Sequence, residues 1–153
     1  MTCAPGSLGS SYRLPSIIRS FFSRDLLALK IACVLFVAAL IAGHLLLPWQ
    51  SSFVVSALLS IAMNLTYPAV ALVRRQRLWM EVRISLGLII LSVLGLLLTP
   101  WALVVAIAFH GTWDLLKHCG HAGVRFEGWY CLGCFVVDWT WAAGLTWLLL
   151  AHG

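Results

Sequence analysis

Five long apolar stretches constrain this 153-residue chain more than any motif in it. They run over 27–47, 53–73, 80–99, 101–118 and 131–150. A helix needs about 20 mostly apolar residues to cross the hydrocarbon of a bilayer, and it satisfies its own backbone there. Five such spans occupy most of the chain and leave no room for a second domain. Hydrophobic residues reach 62% and charged ones 10%, whereas a soluble domain runs near one half and one quarter. The expected fold is an all-α transmembrane bundle of five spans. A four-span version, with one segment re-entrant or peripheral, is the alternative. Residues 1–16, rich in Ser, Gly and Pro, read as a flexible leader. Residues 17–153 read as one helical domain, with 17–25 either an interfacial helix or an extension of the first span.

All ten Lys and Arg residues fall on one side of that bundle. Arg13, Arg19, Arg24 and Lys30 precede or open the first span. Arg74, Arg75, Arg77 and Arg83 surround the second connector, and Lys117 and Arg125 flank the fourth. The connectors at 48–52 and 99–100 carry no charge. Basic residues collect on the cytoplasmic side, so the N-terminus is expected inside and the C-terminus outside. The net charge of +5 is thereby explained without nucleic acid, and anionic lipid headgroups are its natural partners. Trp49 and Trp101 fall where an outer aromatic belt belongs, and Trp79 and Trp129 where an inner one does. Trp113, Trp139 and Trp141 lie deeper and are expected to pack.

Polar residues inside the spans form stripes. Ser56, Ser60, Asn64 and Tyr67 share a face of the second span, which Pro68 should kink. Glu81, Ser85, Ser92 and Thr99 share a face of the third. Such faces turn inward, since lipid offers them no partner. Glu81 and Arg83 stand near the boundary and are expected to reach water. His44 and His152 are expected at the opposite interface. A strip of small residues in the first span (Ala28, Ala32, Ala39 and Gly43) invites close approach by another helix.

The chemistry concentrates in 106–138. His110, Asp114 and His118 are spaced i, i+4, i+8, each about 40° from the last on one helix face. Gly120 and Gly123 argue against that helix continuing to His121. Cys131, Cys134 and Asp138 share a face of the fifth span. A carboxylate at the centre of a span costs about 2.5–3.5 kcal/mol on insertion scales and is a functional hypothesis by default. Three readings stand. His110, Asp114 and His118 can be metal ligands, with Asp138 a further ligand or general base, and zinc or non-haem iron fits such donors. The substrate would then be a lipid or amphiphile. Alternatively Asp114 and Asp138 carry protons or cations with His110 as relay, or the groups only clamp helices together. Cys119, His121, Cys131 and Cys134 offer a separate set of zinc ligands. On the cytoplasmic side their thiols are expected to stay reduced, and packing at a helix start is the plainer role for Cys131 and Cys134.

His110, Trp113-Asp114, His118, Trp129-Tyr130 and Asp138 together resemble the pattern of an uncharacterised family of small multi-spanning bacterial membrane proteins. The likeness covers about the last third of the chain. A single His118 stands where the family pattern would have a His pair. The resemblance implies a bacterial integral membrane protein and supplies no activity.

Overall fold

The computed structural model describes residues 27–124, 126 and 128–152. The leader and the segment 17–25 lie outside the described residues, as do the side chains of Ala28, Ala32 and Trp129. The described residues are helical with short connectors: α1 (Leu27–Leu46), α2 (Trp49–Asn64), α3 (Thr66–Arg74), α4 (Leu78–Leu97), α5 (Pro100–His118) and α6 (Gly128–His152).

The helix boundaries follow from local chemistry. Thr99 is extended (φ −153°) and Pro100 opens α5, where a missing N–H costs nothing. Pro68 has no N–H to give to the Asn64 carbonyl. The expected kink is accordingly a break at Leu65, between α2 and α3. Helix α3 ends with Arg75 in the left-handed region (φ 52°), its N–H bonded to Leu72 O and that of Gln76 to Ala71 O. Gly120 (φ 74°) ends α5 in the same way, with His121 N bonded to Leu116 O. His121 therefore does not join the face of His110 and Asp114.

Among the described residues, three helical stretches are long and apolar enough to cross a membrane: Trp49–Arg74, Leu78–Leu97 and Tyr130–His152. In α1 the stretch Val34–Leu46, which follows residues whose side chains lie outside the described ones, is apolar helix. Helix α5 carries His110, Asp114 and Lys117, all buried. It packs against α2, α4 and α6, so its polar residues face protein and cost it overall apolarity, not placement. Large apolar side chains such as Val34, Leu58, Leu72, Leu97 and Leu150 point outward, as a surface bathed in acyl chains requires.

Contacts define the two ends. Arg77 Nη1 donates to Gly123 O at 3.4 Å, joining the two basic connectors. At the other end the ring of Trp49 stacks on His152 with centroids 5.9 Å apart. An apolar cluster including Phe53, Ala57, Leu103, Ile107, Trp141 and Leu145 fills the bundle. Between spanning helices lipid removes the hydrophobic driving force, and close packing with interhelical hydrogen bonds replaces it at about 0.6 kcal/mol per bond. Ser60 Oγ meets Ser92 Oγ at 3.0 Å, and Trp141 Nε1 donates to Ser56 Oγ at 3.2 Å. The inward-facing stripes are thus realised, except that Thr99 is exposed. The small-residue strip is realised only at Gly43, buried near Val55, while Ala39 is exposed.

Candidate metal centre

Helices α5 and α6 make the most extensive pairing among the described residues, and Gly111 lies at a close approach within it. A Cβ at Gly111 would lie 2.9 Å from Asp138 Cβ and 3.1 Å from Trp139 Cδ1. With only hydrogen there, α6 comes near enough to set Asp138 beside His110, one residue before the glycine. His110 Nδ1 lies 2.8 Å from Asp138 Oδ2 and 3.7 Å from Asp114 Oδ2. One ligand atom from each of the three residues falls within 4.8 Å of the others. All three side chains are buried, none more than 1% exposed.

The three residues thus form a buried group of a kind that could hold a metal ion, with His110 Nδ1 in direct hydrogen-bond contact with Asp138 Oδ2. Two carboxylates and one neutral imidazole carry two negative charges, which one divalent ion cancels. Of the atoms in these contacts, Asp114 Oδ2 has no hydrogen-bond partner, and His110 Nε2 and Asp138 Oδ1, the other polar atoms of their groups, are also buried without one. Such orphans are rare and call for an explanation, an ion among them.

A second layer supports the centre from α3. The Tyr67 hydroxyl donates to Asp114 Oδ1, leaving Oδ2 to face His110. The Tyr67 and His110 rings have centroids 5.2 Å apart. Lys117 Nζ sits 3.0 Å from the centroid of the Tyr67 ring and 2.9 Å from Glu81 Oε2. Glu81 also accepts the backbone N–H of Val124 at 2.6 Å and the Trp113 indole N–H at 3.3 Å. Gly123 (φ 68°) lies directly over this pair, since a Cβ there would come within 2.5 Å of Glu81 Oε1 and of Lys117 Cε. Cys131 is buried on the first turns of α6.

Of the expected site residues, the structure brings together His110, Asp114 and Asp138 and leaves His118 exposed, outside the cluster. His118 is the last residue of α5, on the exposed side of the buried Lys117. Glu81 does not reach water: it is fully buried, because Lys117 meets it. Lys117 in turn is an internal ion-pair partner and not a headgroup contact. Neither role was read from the sequence, where boundary position and side-chain reach accounted for both residues. His44 is half-buried and meets Ser52 Oγ at 2.6 Å through Nδ1. Trp139, expected to pack, is 49% exposed. Cys119 is disulfide-bonded, against the expected reduced thiol, and His121 is exposed. The four-ligand loop site is therefore not assembled, and Cys131 and Cys134 are not disulfide-bonded. Compared with protein-family models, with curated proteins and with solved structures, the chain matches none.

Proposed function

We propose that this chain is an integral membrane protein whose buried His110/Asp114/Asp138 centre holds one divalent ion, zinc or iron, and acts on a membrane-soluble substrate. The observation that supports the reading is the convergence of these three buried residues, each offering one ligand atom within 4.8 Å of the others. Three protein ligands leave a coordination position open, the mark of catalytic rather than structural zinc. An ion held by His110, Asp114 and Asp138 would supply a Lewis acid and make water more acidic there. The chain's own residues orient the ligands: Tyr67 fixes Asp114, and the Gly111 contact fixes Asp138. With His118 outside the cluster, Asp138 takes the third ligand place in addition to the role of base considered for it. A lipid or amphiphile is the substrate class, since the centre lies within the bundle. The location that accompanies this reading is the bacterial inner membrane, with the basic connectors in the cytoplasm.

The test is metal analysis of the protein purified in detergent without added metal. One equivalent of zinc or iron per chain is expected, lost in His110→Ala and in Asp114→Ala while helicity is kept. Protein free of metal, and unable to take it up from solution, would sink the proposal.

A second reading is proton transfer. It is favoured by one observation, the direct 2.8 Å contact of His110 Nδ1 with Asp138 Oδ2, which needs no ion. Proton-coupled flux in vesicles of the metal-free protein would select it.

A further inference from the structure

Among the described residues, five buried side-chain polar atoms have no hydrogen-bond partner. Three belong to the His/Asp centre. The other two are Asn64 Oδ1 and His44 Nε2, and they lie on a line leading away from it. Ser52, Ser56, Ser60 and Asn64 follow one another at intervals of four along α2, and none is more than 1% exposed. His44 caps the far end through Ser52. At the near end Tyr67, three residues beyond Asn64, hands its hydroxyl proton to Asp114 in a hydrogen bond.

The spacing suits water. Four residues of helix rise about 6 Å. One water accepting from one hydroxyl and donating to the next spans about 5.6 Å. Helix clamping accounts for part of this line, through the Ser60 pair with Ser92 and the Ser56 bond from Trp141. Each hydroxyl nevertheless keeps further capacity, having one donor and two acceptor sites. Clamping also leaves Asn64 Oδ1 unexplained: its Nδ2 donates to Ser60 O at 2.8 Å while the oxygen, buried in the bundle, has nothing. A buried oxygen without a partner costs about 1–3 kcal/mol unless water reaches it.

We propose that His44, Ser52, Ser56, Ser60 and Asn64 form a hydrated path by which water and protons reach the His110/Asp114/Asp138 centre from the His44 end of the bundle. This deepens the metal reading, because a buried centre that uses water needs a supply of it. The path itself rests on α2 and exists with or without an ion.

Thiol accessibility tests it. Ser56→Cys and Ser60→Cys are made separately in the full chain and reconstituted in vesicles. Leu58→Cys and Val54→Cys serve as controls on the lipid-facing side of the same helix, where those residues are 58% and 47% exposed. A membrane-impermeant, water-soluble methanethiosulfonate is added from each side, and labelling is read peptide by peptide so that Cys131 and Cys134 are scored apart. Both Ser variants should label from the His44 side, much faster than the controls. Labelling from both sides also supports the path and extends it through the bundle. Labelling only from the basic side, or no faster than Leu58→Cys, overturns it. Two near-isosteric variants guard against one failing to fold. Metal content is measured on the same samples, so a labelled protein without metal separates loss of the metal reading from loss of the path.

Discussion

At the scale of single residues, the Glu81–Lys117 pair shows what burial does to a charge. The two meet at 2.9 Å with no exposed side-chain surface, and Val124 N–H and Trp113 N–H help to satisfy Glu81. Removing one partner of a buried pair strands the other and costs about 3–5 kcal/mol, while replacing both by neutral groups of similar size is near neutral. Lys117→Met alone should therefore lower the thermal melting point in detergent sharply. The double variant Glu81→Gln with Lys117→Met should recover most of the loss. If the single and double variants melt together, the pair has no such role. Tyr67 acts one step further in. Tyr67→Phe removes the donor to Asp114 and should weaken zinc binding about 10–100-fold, as loss of a group that orients a ligand does. Competition with a chromophoric chelator measures this, and helicity should stay unchanged. The polar character of Asn64, Asp114 and Asp138 was readable from their places in apolar spans. The pairing of Glu81 with Lys117 was not, because residues 36 apart in sequence meet only through the rotation of two helices.

At the scale of elements, α5 and α6 build the centre between them, and their separation is set at Gly111. Gly111→Val would push branched carbons into Asp138 and Trp139, where even a Cβ is too close. Overpacking of this kind costs about 1–3 kcal/mol. The expected outcome is a lower melting point together with loss of bound metal, although every ligand is still present. Retention of metal at native stoichiometry would show that the helix separation does not control the site. Both helices, and the faces carrying His110, Asp114 and Asp138, were legible in the sequence from a 3.6-residue period. The break at Leu65 was foreshadowed by Pro68, which removes one hydrogen-bond donor wherever it stands. That Gly111 governs the approach was not legible, since a glycine in a helix bears no mark of what packs on it.

At the scale of the whole molecule, the two ends differ in charge and in chemistry. Arg74, Arg75 and Arg77 are exposed on one connector, and Arg77 reaches the other basic connector at Gly123. The segment 74–77 should be reached by an impermeant reagent or protease from the cytoplasmic side only. Access from the periplasm would reverse the orientation proposed for the chain. His118 sits at this same end, exposed. His118→Ala should leave the metal stoichiometry of the purified protein unchanged, in contrast to His110→Ala. Hydropathy and charge counts belong to short stretches of chain, and so the sequence by itself determined helices, a membrane surroundings and a basic end. Which polar groups find one another depends on helix rotation and spacing at the ångström scale, summed over distant segments. The tertiary structure alone therefore decided that Asp138 joins His110 and Asp114, that His118 stays outside, and that Glu81 and Lys117 close on each other beneath the loop.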